Sequence, residues 1–184
     1  MADHRAQELL QFWFDPSLDK AQRNQRWFGK DPAFDAETRT RFLALYEEGA
    51  AGRLGAWTGT PRECLALVIL LDQFPRNMFR GEARAFATDA AARTAARSLL
   101  PRVAELPPDE RLFAYLPFEH SEALDDQRLA CELCAPLGAD LLRYAQRHRE
   151  IVERFGRFPH RNAILGRAST PEEVEFLRQP GSGF

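Results

Sequence analysis

The heptapeptide Leu65-Ala66-Leu67-Val68-Ile69-Leu70-Leu71 is apolar at every position and is the strongest indication of the fold. The preceding Thr60-Pro61-Arg62-Glu63 has the pattern of a capping box with proline at the first helical position. A helix that is apolar on every side is normally enclosed by other helices. The sequence therefore predicts a central helix over 61–74.

Residue usage extends this prediction to the whole 184-residue chain. There are 27 Ala and 23 Leu but only 4 Val and 3 Ile, so good helix formers dominate over residues that suit strands. Apolar spacing and end signals predict about nine helices, at 3–13, 18–28, 33–51, 61–74, 89–100, 109–122, 124–135, 139–155 and 171–178. We expect one all-α domain over 1–184, made of antiparallel helix pairs with no significant β-sheet.

Charge and hydropathy argue against several classes of protein. The 25 Lys+Arg and 27 Asp+Glu give a net charge of -2, which provides no positive field for nucleic acid. No apolar run approaches the roughly 20 residues of a membrane-spanning helix. Residues 1–8 are charged where a signal peptide would be apolar, and three cysteines do not form a disulfide framework. We expect a cytoplasmic protein without nucleic-acid or membrane partners.

Two segments far apart in the chain resemble each other. Phe74-Pro75-Arg76-Asn77 and Phe158-Pro159-His160-Arg161-Asn162 each follow a predicted helix, and proline is expected to stop that helix. Arginine presents a planar fork of five donors, so two such corners facing one cleft would bind a carboxylate or phosphate. The candidate ligand-binding residues are Asp72, Arg76, Asn77, Arg80, Glu122, His160, Arg161 and Asn162.

The same residues also have a structural interpretation. Arginine and asparagine at helix ends commonly bond to free carbonyls or to a buried carboxylate. Asp72 ends the apolar helix, where an unpaired carboxylate would be costly, and a structural ion pair with Arg76 would remove that cost. The sequence leaves both interpretations open.

A second polar cluster is Pro117-Phe118-Glu119-His120-Ser121-Glu122, where Pro117 is expected to kink or end its helix. Glu119 and His120 lie among apolar residues, where pKa values shift and an imidazole can act as a general base. Glu119, His120, Glu122 and His160 match no compact metal-ligand motif, so we predict no metal and no cofactor. His148 is expected to be a packed, hydrogen-bonded core residue.

Two other signals have simpler explanations. Cys131 and Cys134 form a single C-x-x-C without a second pair, and Cys64 is remote, so all three are expected to be small core residues. The aromatic groups Phe12-Trp13-Phe14 and Trp27-Phe28 are expected to hold the first helices onto the core.

Several of these segments together resemble the uncharacterised bacterial family known as domain of unknown function 924. The resemblance runs from about Leu9 to Phe184. It is carried by Phe12-Trp13-Phe14, Trp27-Phe28, residues 31–35, 71–77, 84–89, 117–122 and 157–162. It implies an all-α fold of the tetratricopeptide-like superfamily, a superhelix of antiparallel helix pairs, and it implies no established activity.

Three functions remain open from the sequence. The first is binding of a small anionic ligand or peptide in a concave pocket lined by Arg, His and Glu. The second is hydrolysis of a small anionic ester or amide, with His120 or Glu119 as general base and Arg76 and Arg161 stabilising negative charge. The third is a scaffolding module without a small-molecule site. Binding is favoured, because no complete set of nucleophile, base and orienting residue is visible.

Overall fold

The computed structural model describes residues 3–183, which contain nine α-helices and no β-strand. The helices are α1 (His4–Trp13), α2 (Lys20–Phe28), α3 (Pro32–Ala50), α4 (Pro61–Met78), α5 (Asp89–Leu99), α6 (Arg111–Glu119), α7 (Leu124–Cys134), α8 (Ala139–Phe155) and α9 (Pro171–Leu177). Short 3₁₀ turns occupy Gly55–Gly59, Ala83–Phe86, Leu100–Glu105, Ala135–Leu137 and Pro159–Arg161. The prediction of an all-α fold is confirmed.

Two helices differ from their predicted bounds by more than two residues. Helix α4 continues through Pro75 to Met78, and α6 ends at Glu119 instead of reaching residue 122. Both helices contain a proline, Pro75 and Pro117, so a proline alone did not mark the last residue of either helix.

The chain divides into two compact units. The first contains the described residues up to Arg80 together with Arg84–Ala114, and the second contains Gly81–Ala83 and the described residues from Tyr115 onward. The single domain over 1–184 stays a prediction, and its residues Met1, Ala2 and Phe184 lie outside the described range.

The core of the first unit is built around α4. Every residue from Leu65 to Leu71 is buried, with at most 6% of its surface exposed. Helix α4 contacts α1, α3 and α5, which confirms its central position in this unit. Burying one large aliphatic side chain stabilises a fold by about 1.5–3 kcal/mol, so this heptapeptide is a main source of stability.

Aromatic side chains attach the first two helices to this core. Trp13 is fully buried, with its ring 5.7 Å from that of Phe74 and 5.5 Å from that of Phe113. The Trp27 indole nitrogen donates to the carbonyl oxygen of Trp13 at 2.9 Å, and its ring lies 4.9 Å from Phe113. These contacts confirm the predicted anchoring role. Helix α2 itself has no buried residue.

In the second unit, α7 packs against α8. Ile151, Val152 and Phe158 form a buried cluster, with Phe155 and Phe176 packed against it.

The cysteines behave as predicted. Cys64, Cys131 and Cys134 are free thiols with buried side chains, and burial raises the pKa of Cys134 to about 12. Such a thiol stays protonated at neutral pH and is a poor nucleophile.

None of the helices in residues 3–183 combines the length and the apolar character needed to cross a lipid bilayer.

Candidate functional site

The first Phe-Pro corner (residues 74–77) does not end its helix, which corrects the prediction made from Pro75. A proline inside a helix has no N–H for the carbonyl four residues earlier, here that of Leu71. The Thr88 hydroxyl donates to that Leu71 oxygen at 2.6 Å and replaces the missing bond. The helix therefore continues through Pro75, because a residue from the next segment satisfies the freed acceptor.

Arg76 in this corner binds two carboxylates. Its guanidinium donates to both oxygens of Asp89, at 2.9 and 3.1 Å, and to the backbone oxygen of Asp72 at 2.6 Å. The Asp72 carboxylate is fully buried and lies 3.3 Å from the guanidinium, and Gln73 donates to its other oxygen at 2.6 Å. Arg76 is thus engaged in a structural ion-pair network.

Asn77 and Arg80 share a single partner. The Asn77 amide donates to an Asp35 oxygen at 2.8 Å, and the Arg80 fork binds the same carboxylate at 2.8 and 3.0 Å. Asp35 lies in the first turn of α3, where negative charge is stabilised by the helix dipole. These two residues therefore fasten the end of α4 to the start of α3.

The second Phe-Pro corner (residues 158–162) has a different backbone. Helix α8 ends at Phe155, and Gly156 adopts a left-handed conformation with φ of 68°. Pro159 then begins the 3₁₀ turn Pro159–Arg161. Here proline lies at the first position of a new turn, where it sacrifices no hydrogen bond.

Asn162 repeats the arrangement of Asn77. Its amide donates to Glu173 at 3.2 Å, and the Arg157 fork binds the same carboxylate at 2.7 and 2.8 Å. Glu173 lies in the first turn of α9 and also receives the backbone N–H of Thr170 at 2.7 Å. Hydrogen bonding from Arg157 lowers the pKa of Glu173 to about 2.

Glu122 holds the same loop from its other side. It accepts two bonds from Arg167, at 2.7 and 2.9 Å, and the backbone N–H of Phe158 at 2.8 Å. Although burial opposes ionisation, these bonds lower its pKa. Asn162 and Glu122 thus form part of the framework of the second corner.

Glu119 is paired with His148, which sequence reasoning had placed in the core without a site role. Its carboxylate lies 3.2 Å from His148 Nδ1, and each side chain is only 7% exposed. The Tyr144 carbonyl oxygen lies 2.9 Å from the same nitrogen. Since a carbonyl can only accept, Nδ1 carries the proton and the lone pair of the neutral ring is on Nε2.

The end of α6 is fixed by Gln127 of α7. The Gln127 amide donates to the backbone oxygens of Glu119 and Ser121, at 2.7 and 2.6 Å, and Gln127 is fully buried. The backbone on both sides of His120 is therefore held in place. The His120 ring centroid lies 6.4 Å from that of His148.

His148, His160 and Arg161 surround the buried ring of Phe158. The two imidazole centroids lie 5.7 and 5.6 Å from the ring, and Arg161 Cζ lies 4.5 Å from it. Burial, reinforced by the charge of Arg161, lowers the pKa of His148 to about 3 and that of His160 to about 4. Both imidazoles are neutral at pH 7.

The predicted site residues thus separate by unit. Asp72, Arg76, Asn77 and Arg80 belong to the first unit; Glu119, His120, Glu122, His160, Arg161 and Asn162 belong to the second. The expectation that both corners face one cleft stays a prediction.

Two surface cavities of the first unit lie elsewhere. Their volumes are about 320 and 490 Å³; Arg5, Arg53 and Trp57 line the first, and Leu10 and Arg62 line the second. Neither is lined by a predicted site residue. Within the described range, no group of three or more His, Cys, Asp or Glu side chains is placed to hold a metal ion.

Comparison with known proteins agrees with the resemblance carried by these motifs. Residues 9–181 match the family described as bacterial protein of unknown function, DUF924. The chain belongs to this family. A solved protein of unknown function from Agrobacterium tumefaciens is 45% identical to this DUF924 chain, with a TM-score of 0.87, covering 95% of this chain and 97% of the other. No curated protein matches the chain.

Sequence reasoning missed three partners in this DUF924 chain. Thr88 and Asp89 belong to the segment 84–89, to which the sequence assigned no role. Thr88 bonds to Leu71 and Asp89 bonds to Arg76, so both contact residues of α4 that lie more than ten positions earlier in the chain. His148 lay on the apolar stripe of α8, where its position suggested packing alone. Its hydrogen bond to Tyr144, one helical turn earlier, is local, whereas Glu119 approaches from another helix.

Proposed function

We propose that the second unit binds a small anion, a carboxylate or phosphate group, at the imidazole cluster, which comprises Glu119, His120, His148, His160 and Arg161. The observation that carries this proposal is the grouping of the Arg161 guanidinium with His148 and His160 around Phe158. Charge-assisted hydrogen bonds from a guanidinium are among the strongest recognition elements for carboxylates and phosphates.

The protonation states support this assignment. His148 and His160 are neutral at pH 7, so neither ring adds charge repulsion next to Arg161. A bound anion favours the charged form of a nearby imidazole. Binding should therefore become tighter as the pH falls from 7 toward 5, with proton uptake by the complex.

The first corner supports the structural alternative for its own residues. Arg76 binds Asp72 and Asp89, and Arg80 binds Asp35, so their forks already have carboxylate partners. We therefore assign a fastening role to Arg76 and Arg80.

Isothermal titration calorimetry with inorganic phosphate and with acetate tests the proposal. We expect Arg161→Gln to weaken the tighter of the two at least tenfold, about 1.4 kcal/mol, with little change in melting temperature. The control is Arg178→Gln, whose exposed side chain pairs with exposed Glu175. Two outcomes would favour the scaffolding function instead. One is that the natural protein binds neither anion, and the other is that Arg161→Gln loses much of its melting temperature while its anion binding is unchanged.

A second candidate function, hydrolysis, is favoured by the 3.2 Å contact between Glu119 and His148. A carboxylate that orients an imidazole leaves Nε2 as the general base. In this mechanism Nε2 takes a proton from water, the water oxygen bonds to the carbonyl carbon of a small anionic ester, the C–O bond breaks, and the proton passes to the leaving alkoxide. His148 thus takes the role that the sequence assigned to His120 or Glu119.

Release of phenolate from an aryl ester that carries a carboxylate measures this activity. Both His148→Gln and Glu119→Gln should reduce kcat, and His148→Gln should do so by about 10²–10⁴-fold, the contribution typical of a general base. Absence of any turnover by the natural protein rules the hydrolase out while leaving anion binding intact.

We also infer a tetratricopeptide-like stacking of helix pairs within each unit, and a cytoplasmic location. Packing of α4 on α3 and α5, and of α7 on α8, supports the first. Three free, buried thiols support the second, because reducing compartments keep cysteines unpaired.

A further inference from the structure

Residues 178–183, which we call the 178–183 strap, follow α9 and lie beside the proposed anion site. The Ser182 hydroxyl donates to the Leu177 carbonyl at 3.2 Å, which turns the chain back at the end of α9. On α8, the Arg147 guanidinium donates to the Gly181 carbonyl at 3.2 Å. The strap is therefore held to α8 by a side chain one residue before His148.

The far end of the strap lies against His160. A Cβ atom at Gly183 would be 3.4 Å from Cβ of His160 and 3.6 Å from Cγ, which is van der Waals contact. The backbone at Gly183 thus covers part of one residue of the imidazole cluster.

The strap has the features of a segment that opens easily. Gly181 and its partner Arg147 are exposed, and hydrogen bonds at exposed positions open at little free-energy cost. Gly181 has φ of 77°, a conformation that L side chains rarely adopt, and a Cβ there would lie 2.4 Å from the Arg147 guanidinium. Glycine at this position therefore allows the strap to pack against Arg147 of α8.

We propose that the 178–183 strap is a lid over His160, and that its opening admits the anionic ligand. This inference rests on the proposed function of the imidazole cluster. A lid that is closed most of the time lowers the apparent affinity of the site by the fraction of molecules that are open.

The proton affinity of His160 reports on the lid independently of any ligand. Besides burial, the charged or titratable groups that act on His160 are Arg161, Glu122, His120 and Arg167. The strap contributes none of them, but it shields the ring from water. Opening the lid should therefore raise the His160 pKa toward its ordinary 6.5.

Arg147→Ala removes the anchor and tests the lid in the full-length protein. Arg143→Ala is the matched control, because it lies one turn earlier on α8 and pairs with exposed Asp140. Gly181→Ala is a second variant that displaces the strap through its backbone conformation. Histidine titration by NMR, assigned with His160→Gln, is measured alongside calorimetry with inorganic phosphate and acetate.

We expect Arg147→Ala and Gly181→Ala to raise the His160 pKa and to tighten anion binding about fivefold, as for a lid closed about 80% of the time. An unchanged His160 titration in both variants would overturn the lid, whatever the anions do. A raised pKa with unaltered affinity would overturn its gating role. A raised pKa in a protein that binds neither anion would leave the strap as a cover of His160 and refute the anion site instead.

Discussion

The two Phe-Pro corners have nearly the same residues but place their arginines in different surroundings. Arg76 lies between the carboxylates of Asp72 and Asp89, whereas Arg161 lies on an aromatic ring beside two neutral imidazoles. The carboxylates beside Arg76 come from α4 and α5. The rings beside Arg161 come from α8 and from the second corner itself. A repeated motif therefore fixes the position of a side chain at a helix end without fixing its chemistry.

The asparagines of the two corners, in contrast, share one role. Asn77 donates to Asp35 and Asn162 donates to Glu173, and each of these carboxylates lies in the first turn of a helix and also binds an arginine fork. The common part of the motif is thus a structural fastening. The difference between the corners resides in the arginine that precedes the asparagine.

The largest effect is expected at the first corner. Asp72→Ala removes the fully buried carboxylate beside Arg76, and should reduce the free energy of unfolding by about 3–5 kcal/mol in urea denaturation. Asp125→Ala, at an exposed pair with Arg128, should change it by no more than about 0.5 kcal/mol. If Asp72→Ala lowered the free energy of unfolding by less than about 1 kcal/mol, the Asp72–Arg76 pair would be no more stabilising than an exposed pair. Arg76 would then again be a candidate ligand-binding residue.

The second corner should be the acid-sensitive one. The pKa values of His148 and His160, about 3 and 4, lie below the ordinary 6.5, so the unfolded chain takes up protons first. Stabilisation from these neutral rings is complete above about pH 6.5 and is lost as the pH falls toward 4, by on the order of 3 kcal/mol for each ring.

Urea midpoints between pH 7.5 and 4 measure this loss. His160→Gln should flatten the pH dependence, whereas His4→Gln, at a residue with 86% of its side chain exposed, should not. Glu173, with its pKa lowered to about 2 by Arg157, acts in a separate window, because its stabilisation is lost only below its ordinary 4.5. If the urea midpoints of His160→Gln and of the natural protein changed equally with pH, His160 would not be a cause of the acid sensitivity.

The role of Pro75 in the first corner can be tested by a double-mutant cycle. Thr88→Val removes the donor to the Leu71 carbonyl and should cost about 2 kcal/mol, because a buried acceptor is left unsatisfied. In a Pro75→Ala background the amide at position 75 can bond to that carbonyl, so the same change should cost less than half as much. Additive costs would mean that Thr88 does not replace the bond that proline removes.

The smallest effect tests what the corners share. Asn77→Ala should lower the free energy of unfolding by about 1 kcal/mol, since it loses one hydrogen bond to a carboxylate that an arginine continues to hold. Asn162→Ala should cost more, because Asn162 also donates to Ser169 and accepts from Arg167. Thermal melts of the two variants measure the difference, and equal losses would show that these additional bonds contribute nothing.

Features that depend on local sequence could be predicted, and features that depend on packing could not. The apolar heptapeptide 65–71 and the caps at Thr60 and Thr170 act within a few residues, so the helices and the central position of α4 followed from the sequence. The predicted end of α4 at residue 74 was wrong, because Thr88, which lies outside the helix, donates to the carbonyl that Pro75 leaves without its helical hydrogen bond.

The candidate site shows the same limit. Glu119 could be selected because a carboxylate among apolar residues needs a partner, yet the sequence could not indicate that the partner is His148 on another helix. Arg76 and Arg161 were equivalent in the sequence, since both follow Phe-Pro and precede Asn. Only the placement of Asp89 and of the imidazoles separates them.

The enclosure of α4 also has a kinetic consequence. Amide protons of Leu65 to Leu71 can reach solvent only when the whole first unit opens, so their deuterium exchange should report global unfolding. Helix α2 buries no residue, so its amides should exchange by local opening at lower free energy. Slowly exchanging amides in α4 and rapidly exchanging amides in α2 would thus lie about fifty residues apart or less in the sequence.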